Sequence, residues 1–310
     1  MGANYTLSYI TPVLALGFLA PGVPPVSVRA GAGFVLTLLI ATFAGLVFSR
    51  LFLGYPLVFL PLLALALLHL YYTIYIKPVF KIYLMVSLVV IPMISMLSFK
   101  LGAAVAINLV LNAIIAILLI WIIFLIFPYG KASYILKTKL NAHVPSPRER
   151  FVTAMNTVIV VTPLLILFFV FQWTGSMLVL IFVMLLSMNP VATSFKTGLA
   201  LIIANLAGGI AAMMVFELLV IVPEFIFLIL LTLLMGFFFG KRLFSVQPFA
   251  KLYGTAFSTF LLVLGSVTTM EGNAGEKVWS RLFQIGMAVT YLVIASGLLN
   301  HFTQSRKKNI

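Results

Sequence analysis

Residues 78–83 read "PVFKIY" and residues 248–253 read "PFAKLY", 170 positions apart. Each hexapeptide sets a proline and a lysine just ahead of a long apolar run. Proline suits the first turn of a helix, where a missing N–H costs nothing. Outward from this pair, the chain spells one arrangement of apolar helices twice.

Composition fixes the solvent. The chain of 310 residues is 64% hydrophobic and only 8% charged, where a soluble domain carries roughly 25% charged residues. Runs of about 20 apolar residues recur along it, each long enough to cross a bilayer as a helix. Barrel strands would alternate polar and apolar residues, and these runs do not. The expected fold is an all-α polytopic membrane protein in contact with the lipid bilayer. Its spans fall at 8–26, 30–49, 54–74, 82–98, 103–127, 153–172, 175–194, 197–219, 222–240, 252–269 and 280–300, which is about 11 transmembrane helices.

The chain has no cysteine, which excludes disulfides, thiolate metal sites and cysteine catalysis. His69, His143 and His301 lie too far apart to spell a metal-ligand spacing. Five acidic residues and three scattered histidines form no acid–base constellation, and no nucleotide-cradling glycine loop is present. No enzyme, metal or cofactor is expected. The opening "MGANYTLSYI" lacks the basic segment of a secretory signal.

The charge distribution gives orientation. The central stretch "YGKASYILKTKLNAHVPSPRER" and the tail "SRKKNI" are basic and belong in the cytoplasm. Alternating outward from them puts Arg50, Lys100, Lys277 and Arg281 outside and every other basic residue inside. Glu217, Glu224, Glu271 and Glu276 fall outside, leaving only Glu149 inside. The net charge of +14 is thus a matter of topology, and no nucleic-acid partner is expected. The sorting predicts a multi-pass protein of a bacterial inner membrane with a cytoplasmic carboxyl terminus.

Further anchors align at an offset of 167: Ser27 with Ser194, Arg29 with Lys196, Gly31 with Gly198, and Pro56 with Pro223. Matching loops lie on the same side of the membrane. The predicted halves are therefore parallel repeats, related by a pseudo-two-fold axis along the membrane normal. The first repeat occupies 1–127, a basic cytoplasmic connector 128–152, the second repeat 153–300 and a basic tail 301–310. The second half has one more span than the first, because the span over 153–172 has no counterpart.

The stretches "LAPGVPPVSVRAG" (19–31) and "LSMNPVATSFKTG" (186–198) each run from a proline-broken helix end to a basic residue and a glycine. With the closing "RLFQIGMAVTYLVIA" (281–295), they resemble the fusaric acid resistance (FUSC) and aromatic acid exporter group of inner-membrane proteins, in its short branch without a large soluble domain. That resemblance implies export of small organic anions, often aromatic, or of amphipathic drugs. It also implies partnership with a periplasmic adaptor of the membrane-fusion type.

Several residues are candidates for such a task. Arg29 and Lys196 follow the broken helices at equivalent places. They either gather an anion at the inner mouth or mark topology by reaching the headgroups. Asn108, Asn112, Asn205 and Gln284 lie within spans, and Asn189 lies at a break. An amide there either binds a carboxylate or holds helices together. Arg281, at the outer start of the last span, either guides an anion outward or anchors the helix. Glu217 and His69 are the candidates for proton coupling. The expected function is a proton-driven efflux permease for small organic anions, with a path between the two repeats. The alternative is a membrane scaffold subunit that does not transport.

Overall fold

The computed structural model describes residues 10–19, 26–73, 78–127, 146–173, 195–245 and 249–268, with short helical pieces at 179–180 and 183–184 and between 279 and 295. The described residues form nine helices. These are α1 (Ile10–Phe18), α2 (Val28–Phe52), α3 (Pro56–Tyr72), α4 (Pro78–Leu97) and α5 (Phe99–Ile126), then α6 (Pro147–Val170), α7 (Phe195–Ile221), α8 (Phe225–Leu243) and α9 (Ala250–Thr268). Six carry stretches long and apolar enough to cross a membrane: Val28–Phe52, Phe80–Leu97, Phe99–Ile126, Pro147–Val170, Ile203–Ile221 and Phe225–Leu243. Shorter apolar helices occupy Pro56–Tyr72 and Leu252–Gly265. Leu57, Leu125 and Phe237 are among the apolar side chains left exposed, as a lipid-facing surface requires. The chain is a multi-pass helical membrane protein.

Two boundaries differ from those expected. Helix α1 ends at Phe18, inside the span read over 8–26. Helix α6 starts at Pro147, six residues before the span expected to begin at 153. Its start is fixed by a capping box: the Ser146 hydroxyl accepts from the Glu149 amide, and the Glu149 carboxylate accepts from the Ser146 amide. Pro147 fills the first helical position, where no donor is needed. This polar turn extends the helix beyond its apolar segment. The span read over 175–194 lies mostly outside the described residues.

The chain divides into two compact units, each drawn from separated stretches. The first contains residues 1–35, 108–139 and 199–283, and the second contains 36–107, 140–198 and 284–310. Helices α2, α5 and, by its first residues, α7 divide between them.

In the first unit, α9 is the hub, packing against α1 and α8. Phe239 of α8 stacks on Phe257 of α9 at 5.5 Å between ring centres. Helix α7 reaches α9 through Gly208, where an added methyl would sit 2.1 Å from the Ala256 carbonyl oxygen. The start of α2 meets α5, where the Trp121 indole N–H donates to the Val26 carbonyl at 2.9 Å.

In the second unit, α3 and α6 run antiparallel. Phe59 at one end meets Phe169 at 4.8 Å, and Tyr72 at the other meets Phe151 at 6.4 Å. Helix α2 approaches α4 through Gly45, where an added methyl would lie 2.6 Å from the Ser87 carbonyl oxygen. Small residues at such crossings let helices approach to backbone contact, which matters where no water drives association. Lys81, in the first turn of α4, donates to the carbonyls of Tyr71 at 3.2 Å and Thr73 at 3.0 Å. It thereby caps the end of α3, where carbonyls lack helical donors.

Helices α2 and α7 share buried positions at the offset of 167 found among the sequence anchors. Five positions are buried in both helices at that offset. Leu38, Ala41, Thr42, Gly45 and Ser49 are buried in α2, and Asn205, Gly208, Gly209, Ala212 and Phe216 are buried in α7.

Candidate functional site

Two interior polar pairs stand out in the first unit. Asn112 of α5 is fully buried, and its Oδ1 accepts a short hydrogen bond from the Thr11 hydroxyl of α1. Its Nδ2 donates to the Asn108 carbonyl, one turn back, at 2.7 Å. Asn205 of α7 is 1% exposed and accepts from the Thr259 hydroxyl of α9 at 2.5 Å. Each pair ties two helices across an apolar interior, where an unpartnered amide would be costly. A threonine fits this place because its single hydrogen can be aimed at the amide oxygen.

The other candidates are placed as follows. Asn108 is half-buried and contributes its main-chain carbonyl, while Asn112 turns toward α1. Gln284 is buried in the second unit. Arg29 is the second residue of α2 and exposed, and Lys196 is the second residue of α7. Glu217 is exposed near the end of α7. His69 is exposed in the last turn of α3, with Nε2 3.4 Å from the Thr73 hydroxyl. Asn189 and Arg281 lie outside the described residues.

Among the described residues no charged side chain is fully buried. The interior presents amides and hydroxyls instead. Thr11 and Thr259 were not singled out in the sequence. A lone threonine in an apolar run has no local signature, and their partners lie 101 and 54 residues away. Ser87 and Ser95 of α4 and Thr162 of α6 are also notable, because each hydroxyl is buried with no partner among the described residues. Ser95 abuts Gly102 of α5, where a methyl would sit 2.1 Å from its oxygen. Such groups suit neutral hydrogen bonding, and they leave charge to the helix ends.

No family model, curated protein or solved structure matches the chain.

Proposed function

We propose that this chain is an efflux permease for small organic anions, aromatic carboxylates above all, built from two parallel repeats with the path at their seam. The observation that carries the reading is the agreement of α2 with α7. Five buried positions of α2 recur as buried in α7 at the offset of 167, and Arg29 and Lys196 correspond at the same offset. Two equivalent cations at the cytoplasmic mouth would gather an anion. An uncharged interior of amides and hydroxyls would let it pass without being held.

The make-up of the two units supports the duplication. The first holds α1, most of α5, and α7 to α9. At the repeat offset their counterparts are the span over 175–194, the span over 280–300, and α2 to α4, which lie mostly in the second unit. Only α6 has no counterpart. A duplication of this kind accounts for 11 spans. The resemblance to the FUSC and aromatic acid exporter group adds the bacterial inner membrane, a periplasmic adaptor and the proton gradient to this proposal.

One observation favours the scaffold alternative. Asn112 and Asn205 are already engaged by threonines, as helix glue would be. Flux separates the two. Cells expressing the chain with its adaptor would be loaded with a panel of aromatic carboxylates, and export compared with Arg29→Ala/Lys196→Ala at matched membrane levels. Export by the native chain that falls in the double variant supports the permease. No export across the panel moves the role to scaffolding.

A further inference from the structure

The turn between α7 and α8 carries a cleft that the transport reading does not use. Its volume is about 240 Å³. Phe216, Leu219, Phe225 and Leu228 supply apolar walls, with Glu224 and Thr268 as the polar side chains. All of these lie in the first unit.

Both polar side chains can accept hydrogen bonds. Glu224 is the residue that precedes α8, a position where a carboxylate commonly caps the helix, yet its side chain makes no capping bond. Its carboxylate makes no hydrogen bond or ion pair with any described residue. The Thr268 hydroxyl donates its hydrogen inward, to the carbonyls of Leu264 at 3.0 Å and Gly265 at 3.2 Å, so only its lone pairs are left. The carbonyl of Leu219 would normally receive the amide four residues on. That residue is Pro223, which has none. The ends of α7 and α9 thus leave acceptors without donors beside the cleft, and Glu224 brings the negative charge. Two phenylalanine rings complete the wall, and aromatic faces attract cations.

We propose that this cleft binds the primary ammonium group of an amphipathic amine, with the ammonium at Glu224 and the apolar body against Phe216, Phe225 and Leu228. The inference is independent of the permease reading. The volume fits a single-ring arylalkylamine, below the size of most drug pockets. The same chemistry is offered by a free amine and by the ethanolamine headgroup of a phospholipid.

The test uses the full chain, purified and placed in nanodiscs of phosphatidylglycerol. Binding of 4-fluorophenethylammonium is read by fluorine NMR, with 4-fluorophenylacetate as the anionic match. The amine binds and the acid does not. Glu224→Gln weakens the amine at least about tenfold, as loss of a charge-assisted contact requires. Leu228→Trp keeps the carboxylate, fills the cleft and also abolishes binding. Adding phosphatidylethanolamine distinguishes the sources: competition assigns the site to lipid, and no competition to a free amine. The proposal is overturned if the amine binds Glu224→Gln as tightly as the native chain. It is equally overturned if the acid is preferred, as the first amides of α8 alone would dictate, or if neither probe binds.

Discussion

Gly208 of α7 lies against the main chain of α9 at Ala256, with no room for a side chain between them. One turn away on the same pair of helices, Asn205 receives the Thr259 hydroxyl. The close approach and the hydrogen bond are one device, since the bond can form only where the backbones come near.

Gly208→Ala should therefore be strongly unfavourable. The methyl would meet a carbonyl oxygen, and backbone cannot step aside as a flexible side chain would. Overpacking of this kind costs about 1–3 kcal/mol. Gly33 of α2 has open space around its Cα, so Gly33→Ala should gain roughly 0.5–1 kcal/mol from helix propensity. Thermal unfolding of the two variants in detergent should move in opposite directions, and a shared direction would refute this account of the α7–α9 crossing.

The Asn205–Thr259 pair should show a measurable but modest coupling. Single variants Asn205→Leu and Thr259→Val, with the double, form a thermodynamic cycle. Interhelical hydrogen bonds in membranes average about 0.6 kcal/mol, and this one should lie at or above that value. A coupling of zero would mean that the two groups are not bonded to each other in the folded protein.

Lys81→Met should loosen the end of α3 without disturbing α4. The ammonium holds the carbonyls of Tyr71 and Thr73, a contribution of about 1 kcal/mol at a half-exposed site. Hydrogen exchange at residues 70–73 should quicken by about fivefold, while the middle of α4 keeps its protection. Unchanged exchange at the end of α3 would show that the lysine is no cap.

At the start of α6, Ser146→Ala should cost about 1 kcal/mol, the usual loss when a capping hydroxyl is removed. Glu149→Gln keeps an acceptor in the reciprocal position and should cost much less. Denaturant unfolding that ranks the two the other way round would contradict the capping box.

The spans of α2 and α5 were plain in the sequence because long uninterrupted apolar runs have only one stable use in a chain this poor in charge. The amides of Asn112 and Asn205 were also visible, since a polar side chain inside such a run demands an explanation. Their partners were not. Thr11 and Thr259 differ from their apolar neighbours by one hydroxyl, and pairing across helices leaves no mark in local order. The early start of α6 was written in "SPRE" at 146–149. It was overshadowed there because a basic stretch reads as loop when charge alone is weighed. Lys81 was noticed for its place in a repeated hexapeptide, but only the fold shows it reaching back to the preceding helix.

The packing of α1 on α9 also sets a timetable. Membrane helices enter the bilayer in the order they leave the ribosome, at about 5–20 residues per second. Helix α1 ends at Phe18 and α9 begins at Ala250, so roughly ten to fifty seconds separate their synthesis. During that interval the nascent amino terminus has Asn112 within reach once α5 emerges, but its largest neighbour does not yet exist. The Thr11–Asn112 hydrogen bond is then an early mooring, keeping the first helix on station until the rest of its berth has been made.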